Sequence, residues 1–146
     1  ADLLDYVTEV HKPDFVIDVA TLTGAVAFAL GSVGSAVLSN EQSFCDYLLK
    51  LSQEEGEPLW QLPLWPELEA EFKSEVADTP NIVGPSVRAG TITAAIFLKK
   101  FVGKTRWAHL DIAATGWDCG ATGFPKKGAT SFGLRTLVKA CQNWEY

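Results

Sequence analysis

Two carboxylates stand where carboxylates are costly. Asp18 lies inside the apolar run Phe15-Val16-Ile17-Asp18-Val19, and Asp111 inside Trp107-Ala108-His109-Leu110-Asp111-Ile112. An ionised carboxylate in such a setting must be hydrogen-bonded, paired or metal-bound. Either residue is therefore a metal-ligand candidate or a buried acid that collects backbone amides. His109 shares a strand face with Asp111 by the two-residue period, while His11 sits beside Lys12 at a helix end. Neither histidine has metal-ligand spacing, and the chain contains no HExxH pair and no Ser-His-Asp order.

Two further segments carry groups that bind ligands in other settings. Ala20-Thr21-Leu22-Thr23-Gly24-Ala25 joins a strand to a helix through small and hydroxyl residues. It reads either as a cradle of free backbone groups at a helix start or as a tight turn with Thr23 as N-cap. Lys126-Lys127-Gly128-Ala129-Thr130-Ser131-Phe132-Gly133 could hold a phosphate ahead of the last helix, or merely cap that helix through Thr130 or Ser131. It lacks the order of a P-loop.

The elements that must position these residues follow from apolar spacing. Helices are expected over 3–10, 24–30, 41–53, 66–76, 91–102 and 132–143, and strands over 15–19, 36–39 and 107–113. The first two strands and the helix between them read as a β-α-β unit with a right-handed crossover. The segment 58–66 is expected to be extended, its Trp60 and Trp65 covering a core edge. Long Gly- and Pro-rich loops fill 78–90 and 116–128. Nearly unbroken apolar strands alternating with helices imply a three-layer α/β/α fold with a mostly parallel sheet. Ligands of such sheets bind at the carboxyl ends of strands, which singles out Ala20–Ala25 and Ala113–Trp117.

Composition narrows the function classes. The 146 residues, 47% apolar and 21% charged, suit one globular unit, taken here as one region over 1–146. A net charge of −6 disfavours nucleic acid, whose binding depends on Lys and Arg displacing counterions. The uncharged stretch 19–40 is broken by Thr, Ser and Gly and is not read as a membrane span. Cys45, Cys119 and Cys141 form no CxxC pair, as expected of a cytoplasmic protein. The chain contains no methionine and enters its first helix without a cap, so Ala1 is expected to be internal to a longer protein.

Several segments resemble leucine aminopeptidases. Ala1-Asp2-Leu3-Leu4-Asp5-Tyr6, Asp18-Val19-Ala20-Thr21-Leu22-Thr23-Gly24-Ala25, Ala89-Gly90-Thr91-Ile92-Thr93-Ala94-Ala95 and Trp107-Ala108-His109-Leu110-Asp111-Ile112-Ala113 occur in that order in the family. The likeness spans essentially the whole chain, which then corresponds to the C-terminal portion of a catalytic domain. It implies a cytosolic, hexameric metallo-aminopeptidase that removes N-terminal residues, often Leu, from peptides. Two divalent ions, zinc or manganese, activate water there, and a bicarbonate acts as base. The family's Asn-Thr-Asp-Ala-Glu-Gly-Arg-Leu segment and its other metal ligands come earlier than Ala1, so no metal ligand and no catalytic residue maps here.

What does map is substrate pocket. Thr21 and Gly24 fall at the side-chain pocket, Leu22 and Gly24 supply backbone partners of substrate and bicarbonate, Ala113 lies on the wall, and Gly116 stands where some members have a bulkier residue. This chain departs from the family at Ala114 and Ser131, where glycine is usual. The isolated chain is expected to be inactive and, with an exposed sheet edge, to associate. The competing expectation is a non-catalytic α/β module for assembly or small-molecule binding.

Overall fold

A computed structural model describes residues 1–144. Four strands form one mixed sheet in the order β1-β4-β2-β3, with β1 Phe15–Ala20, β2 Ser35–Ser39, β3 Leu59–Gln61 and β4 Arg106–Asp111. β1 pairs with β4 in parallel and β2 with β3 in parallel, while β2 and β4 run antiparallel. The parallel crossover expected between the first two strands is therefore not formed. β4 lies between β1 and β2, and β2 runs opposite to β1.

Each sheet face buries its own core, which makes the three layers. Side chains alternate across the pleat, so Val16, Ala36, Leu38 and Trp107 pack with α2 (Ala25–Leu30) and α5 (Gly90–Lys99). Ile17, Val37, Ala108 and Leu110 pack on the other side with α3 (Gln42–Glu54) and α6 (Leu134–Gln142). The same alternation places Asp18, Trp107, His109 and Asp111 together on the α2/α5 face.

α1 (Asp2–Tyr6) continues as a π-helical turn, Val7–His11, that stops at Lys12 in the left-handed region (φ 45°), just before Pro13. The helix expected over 66–76 lasts one turn, α4 (Pro66–Glu69). Two interactions end it. Phe72 turns in to stack on Phe97, with the Lys100 ammonium over its ring, and the Ser74 hydroxyl takes the amides of Val76 and Ala77. Trp60 and Trp65 do not cover a core edge; each is more than half exposed, and Leu62 and Leu64 pack inward instead.

The last helix is not capped by Thr130 or Ser131. Glu57, fully buried, accepts hydrogen bonds from the Thr136 amide (2.8 Å), the Thr136 hydroxyl (2.6 Å) and the Arg135 amide (3.3 Å). A carboxylate from a distant turn thus fills the positive helix start that a phosphate would need. Lys126 is engaged as well, donating to the Gly120 and Ala121 carbonyls. The Thr130 hydroxyl ties its own loop to the end of β4 by donating to the Thr115 carbonyl (2.6 Å). The cysteines are unpaired; burial pushes the Cys45 thiol up to about 11.

Ser131 adopts φ 56°, a left-handed conformation that costs an L-residue about 1 kcal/mol. Glycine, which the resemblance leads one to expect here, carries no such cost. Ser131→Gly should therefore raise unfolding free energy by roughly 0.5–1 kcal/mol, read from the urea midpoint at constant m-value.

Candidate functional site

β1 and β4 end side by side, with Ala20 opposite Asp111 in register. The chain leaves β1 through 21–24 and enters α2, and leaves β4 through 112–116. Ile112 bonds back to the Ala20 carbonyl, and the amides of Thr115 and Gly116 both return to the Ile112 carbonyl. The two connections expected to bind a ligand are thus neighbours at the carboxyl ends of two parallel strands.

Asp111 joins them. Its side chain has no exposure, and its Oδ1 accepts from the backbone amides of Leu22 (3.1 Å), Thr23 (3.4 Å) and Ala113 (3.2 Å). Oδ2 accepts from the Thr23 hydroxyl at 2.6 Å, and that hydroxyl lies 2.9 Å from the hydroxyl of Thr91 in the first turn of α5. Of the two readings left open for this acid, the structure supports amide collection. Thr23 does not cap α2, whose N-cap is Gly24 without a side-chain bond.

Asp18, partly exposed and two positions before the end of β1, uses different partners. Its oxygens accept from Trp107 Nε1 (2.6 Å) and meet His109 Nδ1 (2.6 Å). His109 is fully buried, stacks on Trp107, and its Nε2 has no partner. It is thus a half-satisfied core histidine, paired with Asp18 rather than with its strand neighbour Asp111. Among the described residues no group of three or more His, Cys, Asp or Glu side chains is placed to hold a metal ion.

The pocket residues expected from the sequence fall into two adjoining groups. Leu22 and Gly24 line a cavity of about 540 Å³ with Thr23, Ala25, Phe72, Ile82, Val83, Val87, Gly90 and Thr93. Its floor is the start of α5, and its outer wall is the loop leading to that helix. Gly90 makes this approach close, since a Cβ there would sit 3.1 Å from that of Ala25. Thr21, Ala113 and Gly116 do not line that cavity. Thr21 and Gly116 meet on the β4 side of the connection, where a Cβ on Gly116 would lie 3.5 Å from the Thr21 methyl, and Ala113 lies in the same exit from β4.

Ile82 and Val83 belong to the long loop before Gly90, which the family resemblance sets at the border of the cleft, whereas Thr91 and Phe72 are not marked by the sequence. Phe72 lies in the part of the expected helix 66–76 beyond its single turn, and nothing in local spacing marks Thr91 as the partner of Thr23. A second cleft, of about 560 Å³, is lined by Leu30, Val33, Pro58, Leu59, Trp60 and Ala121 among others. It contains no charged side chain and so offers shape without reactive groups.

Comparison with known proteins bears directly on this arrangement. The family model for the catalytic domain of the cytosol aminopeptidase family matches residues 1–138. The chain is 54% identical over 128 residues to a probable cytosol aminopeptidase of Geobacter sp. (strain M21), a match covering 88% of this chain and 26% of the relative. It is 47% identical over 146 residues to one of Chloroherpeton thalassium, covering 99% of this chain and 28% of the relative. A third, of Roseiflexus castenholzii, is 44% identical over 145 residues, 99% of this chain and 29% of the relative. The chain thus spans little more than a quarter of the length of these relatives.

A side chain at Gly116 would press on the Ile112 carbonyl at 3.1 Å as well as on Thr21. Gly116→Ala should cost about 1–3 kcal/mol through this overpacking. Thermal unfolding of the variant against wild type checks it, and an unchanged midpoint would show that the turn yields freely.

Proposed function

The chain belongs to the cytosol aminopeptidase family, and from that premise we propose that the protein containing it is a metal-dependent aminopeptidase of peptides. This chain contributes the wall and backbone frame of its substrate pocket. The observation that carries the reading is the junction at the carboxyl ends of β1 and β4, where Thr21 meets Gly116 beside a cavity lined by Leu22 and Gly24.

The roles divide along the two groups. Thr21, Ala113 and Gly116 bound the side-chain pocket of the N-terminal residue. Leu22 and Gly24 present backbone groups to the peptide and to the bicarbonate. Gly24 suits close approach, because nothing lies within 4 Å of where its Cβ would stand. A bound metal pair would polarise the scissile carbonyl and supply the attacking water. The described residues do not fit that pair, since Asp18, His109 and Asp111 use their side chains on one another's strands and on backbone amides. Its ligands are assigned to other parts of the parent protein, and this chain's part is to bind and orient.

A cytoplasmic hexamer is the assembly and setting proposed for the parent. The names of the relatives support the compartment, and no described helix is long and apolar enough to cross a membrane. With the metal ligands elsewhere, the isolated chain is proposed to be inactive.

The test is peptide cleavage by the full-length protein. It should release free leucine from Leu-Gly-Gly, leave N-acetylated peptide intact, and lose at least about 100-fold in rate on chelation, with recovery on adding zinc or manganese. Cleavage of the blocked peptide at a similar rate, or activity indifferent to chelation, would overturn the reading.

A further inference from the structure

We infer that Asp111, acting through Thr23 and Thr91, is a positioning residue that holds the substrate-facing loop in its binding conformation. The inference rests on the peptidase reading above, which places Leu22 and Gly24 against the substrate.

The direction of the hydroxyl chain follows from proton bookkeeping. Thr23 gives its only hydroxyl proton to Asp111 Oδ2. Its oxygen then has only lone pairs for Thr91, so Thr91 must be the donor across the 2.9 Å contact. The relay runs Thr91 to Thr23 to Asp111, and it ties three segments that are distant in sequence: the start of α5, the β1–α2 connection and the end of β4. Two of the three line the cavity directly.

The geometry of the loop depends on this anchor more than on its own backbone. The amides of Leu22 and Thr23 both point at Asp111 Oδ1, which fixes the peptide planes on either side of Leu22. Leu22 itself is 39% exposed, so its side chain contributes little packing to hold the loop. The third amide on Oδ1, from Ala113, sets the opposite wall by the same atom. One buried carboxylate thus fixes the spacing between the two groups of pocket residues, and the Thr91 hydroxyl fixes the carboxylate's second oxygen through Thr23.

A loop that leaves its binding conformation part of the time binds more weakly by the fraction of time it is absent, while turnover of substrate already bound is unchanged. The signature of positioning is therefore a raised KM with kcat retained. A residue that only stabilises the fold would lower the active fraction, and hence apparent kcat, at constant KM.

The experiment uses the full-length protein with its metals and the variants Thr91→Val, Thr91→Ser and Asp111→Asn. Thr91→Val removes the outermost donor and keeps the shape; Thr91→Ser restores the hydroxyl and serves as the rescue. Leucyl-p-nitroanilide kinetics and hydrogen exchange at the Leu22 and Thr23 amides are read in parallel. Thr91→Val is expected to raise KM about five- to tenfold with kcat within about twofold, to speed exchange at both amides by a similar factor, and to be reversed by Thr91→Ser. Asp111→Asn presents an NH2 group to the Thr23 hydroxyl and should give a larger change of the same kind.

Unchanged exchange at the two amides in both Thr91→Val and Asp111→Asn would overturn the inference. So would a fall in kcat at constant KM. If wild type does not cleave the anilide, the peptidase reading fails, and the exchange data still decide whether Asp111 fixes the loop.

Discussion

The Asp111 carboxylate has no contact with solvent and sits at the last position of β4. Its charge is tolerable there only because three amides and one hydroxyl point at it. That requirement constrains everything nearby. The chain must leave β1 with two successive amides turned inward, Ala113 must fold back at once, and α5 must start close enough for Thr91 to reach Thr23. The site is thus shaped by the need to satisfy one buried acid, beside the close approach of α2 and α5 at Ala25 and Gly90.

Elements with strong local patterns were legible in the sequence. The alternating and continuous apolar runs mark β1, β2 and β4, and the three-four spacing of Phe44, Tyr47, Leu48 and Leu51 marks α3. The three-layer α/β class follows from their alternation. Strand order does not. A β-α-β reading of 15–39 assumes that consecutive strands run parallel, and here β4, some 70 residues later, inserts between them. Helix 66–76 failed for a related reason, because tertiary contacts of Phe72 outweigh the propensity of a short acidic segment.

The candidate site was half legible. Thr21, Leu22, Gly24, Ala113 and Gly116 are named by motif, and the structure brings them to the ends of two adjacent strands. Their separation into a cavity group and a β4-side group is invisible in the motifs, since it depends on which way each peptide plane turns. The cost of burying Asp18 and Asp111 could be read from the sequence, but their partners could not. Trp107, His109 and Thr91 become partners only through register and helix placement. Ser131 shows how a departure from the pattern the resemblance implies acquires physical meaning only once φ is known.

We propose that this chain frames the peptide pocket while other parts of the parent protein hold the metals. A crystal structure of the full-length protein with a leucine phosphonic acid inhibitor tests it most directly. The isobutyl group should lie near Thr21, Ala113 and Gly116, with backbone contacts from Leu22 and Gly24 and metal ligands drawn wholly from outside residues 1–144. An inhibitor seated in the cleft of Leu30 and Trp60, or a metal bound by Asp18, His109 or Asp111, would contradict it.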